Sequence, residues 1–128
     1  MSGEGLNQVE LDAAIAEAVA NGLEVVRADE THLLLDLDNE AAIAQYDRVL
    51  PLVMEHYGAT DIERWRSRSG NTHIRLRLAQ AQPWAVRYAL QAALGSDGVR
   101  EVLIMVRMQN GCDEAAMLFK PAALEKAA

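Results

Sequence analysis

Cysteine is nearly missing from this 128-residue chain, where Cys112 stands alone. A single thiol excludes a disulfide framework and any cysteine-built zinc site. That usage suits a reducing, cytoplasmic setting. Long apolar runs are missing too: no stretch approaches the ~20 residues that cross a bilayer. No membrane partner is therefore expected. The opening residues MSGEGLNQVELDAA lack the apolar segment of a signal peptide. Aromatic residues make up 5%, with one phenylalanine. That argues against a sheet that stacks RNA bases on aromatic rings. There is no internal repeat and no low-complexity linker, so residues 1–128 are expected to form a single domain.

What is present points to a folded globule. Hydrophobic residues make up 51% of the chain, too many for a disordered segment. A chain of this size buries roughly two-thirds of its unfolded surface and needs no staple. The net charge of −7 argues against tight non-specific binding to nucleic acid. The cations, however, are concentrated. Of the 12 Lys and Arg, five lie between positions 64 and 77: Arg64, Arg66, Arg68, Arg75 and Arg77. A basic strip on an acidic body marks a local anion site.

Periodicity divides the chain. A frayed start precedes a helix over about 7–20, which Asn21-Gly22 stops. Leu23 to Arg27 reads as a short strand. In THLLLDLD, Leu33, Leu35 and Leu37 alternate with His32, Leu34, Asp36 and Asp38, a strand with one apolar face. Asn39 caps a helix carrying Ile43, Tyr46, Leu50, Val53 and Tyr57. Pro51 should kink or split that helix, and Gly58 should end it. Residues 61–78 read as a hairpin turning at Gly70-Asn71. That turn pairs Arg68 with His73, Arg66 with Arg75 and Arg64 with Arg77, and puts Trp65 on the apolar face. Pro83 starts a helix that stops at Gly95, with Val86, Leu90, Ala93 and Leu94 toward the core. Arg100 to Met108 reads as the last long strand. A short apolar run at 117–119 and a frayed tail at about 122–128 follow.

From Leu33 the order is β-α-β-β-α-β. The expected fold class is α+β: an RNA-recognition-motif-like or ferredoxin-like split βαβ sheet, antiparallel, with helices on one face and an added N-terminal helix. Its core would span about 30–108. The other sheet face would be open and carry Asp36, Asp38, His73, Arg66, Arg75 and Arg77.

Two carboxylates at i and i+2 on a strand project from one face, about 7 Å apart. Such a pair suits a hard divalent cation that keeps positions for a phosphate. Alternatively, Asp38 and Asn39 belong to a polar strand exit and helix cap. His73 among the arginines reads as a triphosphate reader, since Arg forks match phosphate oxygens. The strip could also be a solvated edge hairpin. Like charges directly opposite one another would repel, at roughly 0.2–1 kcal/mol per pair, unless an anion relieves them.

Three motifs carry a resemblance: LLLDLD at 33–38, SRSGNTHI at 67–74 and YALQAALGSDGVREVL at 88–103. Together they resemble the archaeo-eukaryotic primase superfamily, in particular the small primase-polymerase catalytic cores of phages and plasmids. The resemblance implies metal-dependent nucleotidyl transfer in DNA replication or repair, with Mg²⁺ or Mn²⁺ held by Asp36 and Asp38. It implies a third carboxylate, Asp97 or Glu101, and an incoming nucleotide held by His73 with Ser69, Arg66, Arg68, Arg75 and Arg77. The implied partners are a nucleoside triphosphate, a nucleic-acid template and a separate helicase or replication protein. Asn71 stands where the family usually has a small hydroxyl residue. Two other classes compete: a primase-like module that binds nucleotide or nucleic acid without chemistry, and a small replication-associated interaction protein. Exposed Leu34, Leu103 and Met105 on the sheet would favour the last.

Overall fold

Asn7 opens the first helix by accepting the Glu10 N–H on its side-chain oxygen. In the computed structural model, which describes residues 6–121, this helix is α1 (Gln8–Ala20). The expected frayed start and the tail at 122–128 lie outside the described residues. There follow β1 (Leu23–Arg27), β2 (His32–Leu37), α2 (Glu40–Tyr57), β3 (Thr60–Arg66), β4 (Thr72–Arg77), α3 (Trp84–Ala93), α4 (Gly98–Gln109) and β5 (Met117–Pro121). The fold is α+β, with four helices and two small antiparallel sheets among the described residues. One sheet has the order β2-β4-β3 and the other pairs β1 with β5.

The alternation in β2 puts Leu33, Leu35 and Leu37 on one sheet face, where Ile74 and Leu76 of β4 join them. Tyr46 and Val53 of α2 cover that face. α2 starts on Asn39, whose side chain accepts the Ala42 N–H. It runs unbroken through Pro51 rather than splitting there. Pro51 and Asp47 are both exposed, so the helix bond lost at Pro51 is one that water can replace.

Four further expectations fail in whole or in part, each for a physical reason. Residues 100–108 are helix α4, not a strand. Glu101 and Ile104 are buried at helical spacing, and Met108 packs behind them, so a 3.6-residue period beat the β-branched run. The last strand is β5, and it pairs with β1. Second, the sheet face expected to be open is covered. Leu34 is fully buried with Tyr88 of α3, Ile104 of α4 and Leu118 of β5, and Trp65 packs against the same cluster. Helices therefore lie on both faces, and Leu103 and Met105 belong to a helix. Third, the expected core face of α3 holds only in part: Leu94 is buried and Leu90 packs on the core, but Ala93 is exposed and α3 also buries Arg87, Tyr88 and Gln91. Arg87 Nη2 and the Tyr88 hydroxyl both donate to Glu114.

The fourth failure is the hairpin register. The turn spans Ser67 to Asn71: Ser67 N–H bonds Asn71 O, and Gly70 N–H bonds Ser67 O. Arg66 lies opposite Thr72, not Arg75, a shift of three positions (75 − 72). An odd shift turns every side chain to the other face. Trp65 therefore sits opposite His73, Arg64 opposite Ile74 and Arg75 opposite Glu63. The expected opposed arginines do not meet.

Candidate metal centre

β2 lies at the edge of its sheet, and an edge strand leaves a row of N–H and C=O groups to satisfy. No strand satisfies them here. Gln91 Oε1 accepts the Leu34 N–H at 3.0 Å, and Arg100 Nη1 donates to the Leu34 carbonyl at 2.9 Å. Ser96 Oγ accepts the Asp36 N–H at 3.0 Å. The Asp97 N–H donates to the Asp36 carbonyl at 2.9 Å. The α3–α4 connection thus takes the place of a strand, and its backbone ties Asp97 to Asp36.

The tie assembles a cluster. One carboxylate oxygen from each of Asp36, Asp38 and Asp97 lies within 4.8 Å of the others. Glu101, the alternative third carboxylate, points away. It is buried, accepting from Gln91 Nε2 at 2.8 Å and from Arg100 Nη1 at 2.7 Å. Asn71 reaches in from the hairpin loop. Its Nδ2 donates to Asp36 Oδ1 at 3.1 Å and to Asp38 Oδ1 at 2.8 Å. His73 Nε2 lies 3.3 Å from Asp36 Oδ1, and its ring meets Trp65 edge-on at 5.5 Å.

Electrostatics separate the carboxylates. At Asp36, burial pushes the pKa up, but the His73 hydrogen bond and charge, Asn71 and Arg100 outweigh it and hold the group below its ordinary value. At Asp38, burial and the charges of Asp97 and Asp36 push the pKa up. Three clustered carboxylates offer the all-oxygen set that could hold a hard cation.

The basic strip disperses. Arg68 and Ser69 line a cleft of about 240 Å³ that reaches Asp36 and His73, together with Ser67, Asn71 and Lys120. Arg68 Nη2 is anchored on the Asn21 carbonyl at 2.8 Å. Arg75 shares the His73 face, and its Nε is buried without a partner. Arg77 is exposed farther along β4. Arg66 lies on the opposite face and donates to the Gly70 carbonyl. Arg64 is paired with Asp61 at 2.9 Å over the Tyr46 ring. Of the expected nucleotide-binding set, the structure brings His73, Ser69 and Arg68 to one cleft and leaves Arg66, Arg75 and Arg77 out of its lining.

Residues that periodicity overlooked complete the centre. Asn71 bridges two carboxylates, while Ser96 and Arg100 hold the strand that carries Asp36. The sequence held a signal for the last two. Gly95-Ser96-Asp97 is a helix stop followed by a helix cap, and it argues against a strand starting at Arg100.

No helix among the described residues is long and apolar enough to cross a membrane. Comparison of the chain with protein-family models, with curated proteins and with solved structures finds no match.

Proposed function

We propose that this domain is a metal-dependent nucleotidyltransferase of primase-polymerase type. The observation that carries the reading is the convergence of Asp36, Asp38 and Asp97 beside His73. The donor set is all oxygen and fits Mg²⁺ or Mn²⁺. When bound, such an ion neutralises charge on the attacking and leaving oxygens of phosphoryl chemistry. The chain's own groups have distinct tasks. Asp36, Asp38 and Asp97 hold the cation. Ser67, Ser69, Arg68 and Lys120 line the cleft that receives the phosphates. His73 orients Asp36 through Nε2. The order β2-α2-β3-β4, with β4 inserted between β2 and β3, supports a split βαβ core of the kind the resemblance implies. A template and a separate replication protein belong to the same reading.

One observation favours a second reading, a nucleotide-binding module without chemistry. The Asn71 amide donates to both Asp36 and Asp38, so a neutral donor already bridges the carboxylates that the cation needs. A primer-extension assay with Mn²⁺ and labelled nucleotides separates the two. Under the enzyme reading, wild type extends or starts a strand and Asp36→Asn/Asp38→Asn does not. Binding of Mn²⁺ and nucleotide without any product, on DNA and RNA templates alike, selects the binding module. Failure of wild type to bind nucleotide, with or without Mn²⁺, removes both.

A further inference from the structure

Asn71 is a neutral side chain set between two acids. Its Nδ2 lies 3.1 Å from Asp36 Oδ1 and 2.8 Å from Asp38 Oδ1. An amide nitrogen carries two N–H groups, so each carboxylate can take one. Ionised carboxylates have no hydrogen to offer each other, and the amide supplies it.

The same two distances fit a ligand of the cation. A hard ion such as Mg²⁺ holds octahedral oxygen ligands at about 2.1 Å. Neighbouring ligand atoms of that octahedron then stand roughly 3 Å apart, the bond length times the square root of two. Asn71 Nδ2 therefore lies where a further ligand atom belongs, not where the ion belongs. Nitrogen is the wrong atom for that place, because its hydrogens would face the cation. Oδ1 is the right one, since an asparagine carbonyl is an ordinary ligand of hard cations. Half a turn about χ2 exchanges the two atoms. That torsion joins an sp³ to an sp² carbon and is broad and roughly two-fold. Among the described residues, both hydrogen bonds of the side chain run through Nδ2, so the exchange gives up only those.

The backbone keeps Asn71 at the site while the amide turns. Its N–H donates to Ser67 Oγ at 3.0 Å, and its carbonyl accepts the Ser67 N–H at 2.9 Å. Arg66 Nη1 and Arg68 Nη2 brace the same loop on the Gly70 and Asn21 carbonyls, at 2.6 and 2.8 Å. A loop tied in this way leaves the residue little room to withdraw when a cation arrives.

We infer that Asn71 is a switching ligand: its amide nitrogen bridges Asp36 and Asp38 in the metal-free protein, and its Oδ1 joins them on the cation. The inference rests on the metal reading above and adds a neutral oxygen to the three carboxylates. It also pins the Ser67–Asn71 wall of the phosphate cleft to the ion.

The test combines Mn²⁺ calorimetry on wild type, Asn71→Ala and Asn71→Asp with a crystal of Mn²⁺-loaded wild type. Asn71→Ala should bind Mn²⁺ about tenfold or more weakly, a loss that even supporting contacts of a ligand reach. Asn71→Asp keeps an oxygen at that place and should bind at least as tightly as wild type. In the crystal, an Asn71 side-chain atom should lie at a bonding distance from the ion, about 2.0–2.6 Å. Unchanged or tighter binding by Asn71→Ala means that the amide only stands in for the ion, and overturns the inference. So does weaker binding by Asn71→Asp, or a loaded crystal in which Asn71 still donates to the carboxylates or points away. Each of these leaves Asp36, Asp38 and Asp97 as ligands. Failure of wild type to bind Mn²⁺ at all overturns the metal reading as well.

Discussion

Gly95 and Gly70 both hold positive φ, +95° and +92°, yet their surroundings differ. A Cβ built on Gly95 would lie 2.7 Å from the Ala42 carbonyl oxygen, a backbone atom of α2 that cannot swing aside. At Gly70 a Cβ meets nothing within 4 Å. Both substitutions to Ala bring the backbone strain of a left-handed residue, of order 1–3 kcal/mol, but only Gly95→Ala adds a collision. Gly95 also precedes Ser96 and Asp97, so the displacement should reach the carboxylate cluster. Gly95→Ala is expected to lower both the denaturation midpoint and Mn²⁺ affinity, and Gly70→Ala to lower the midpoint less and leave Mn²⁺ affinity near wild type. Urea melts with Mn²⁺ titrations check this. Equal losses in the two variants would mean that the close approach to α2 is unimportant.

At the scale of elements, the bonding of β2 is the device on which the site depends. Ser96 Oγ both accepts the Asp36 N–H and receives Arg100 Nη1 at 3.1 Å. Ser96→Ala removes an acceptor from a part-buried backbone N–H, a loss of about 1–3 kcal/mol. It should also loosen Asp36 against Asp97 and weaken Mn²⁺ binding. Supporting contacts around a metal ligand are commonly worth about 10–100-fold in affinity. Ser96→Thr keeps the hydroxyl and should recover most of both. Chemical denaturation and Mn²⁺ titration of the pair test the idea. If Ser96→Ala matches wild type in stability, the edge of β2 does not need the α3–α4 connection. Arg100 and Glu101 are a poorer place to probe. Their buried pair is bonded at 2.7 Å, and removing one partner strands the other charge, which can cost 3–5 kcal/mol on its own.

For the whole molecule, the carboxylate cluster ties stability to pH and to cations in two opposite senses. Asp36 has a folded pKa below its ordinary 3.8. Its contribution is therefore present above that value and is lost as pH falls through the folded pKa. Asp38 has the reverse sign, because its folded pKa is raised from 3.8. The folded chain holds that proton more firmly, so stability is lost as pH rises from 3.8 through the raised value. At neutral pH the Asp38 charge thus works against the metal-free fold, and a cation should reverse the effect. Mn²⁺ is expected to raise Tm at pH 7, and progressively less as acid protonates Asp38. Asp38→Asn should raise the metal-free Tm and abolish most of the Mn²⁺ response. Differential scanning calorimetry over this pH range reads both. A metal-free Asp38→Asn that melts below wild type would contradict the repulsion argument.

Local pattern was enough to place much of this protein. The two-residue period in LLLDLD set the apolar face of β2, and Asn39 set the start of α2, because both depend on neighbours in sequence. Asp36 and Asp38 at i and i+2, and a histidine on a strand of the same sheet, were visible for the same reason. The turn at 67–71 was not. Register follows from which Ser67 and Asn71 groups close the loop, and Gly70-Asn71 alone suggested a tighter one. The helical state of 98–109 was missed because an apolar run reads as either period until something packs on it; here Ile104 buries against Leu34. The choice of Asp97 over Glu101 belonged wholly to tertiary structure. Both acids lie near the start of α4, and only the packing of α3 decides that Gln91 captures Glu101 while the Asp97 backbone bonds the edge of β2.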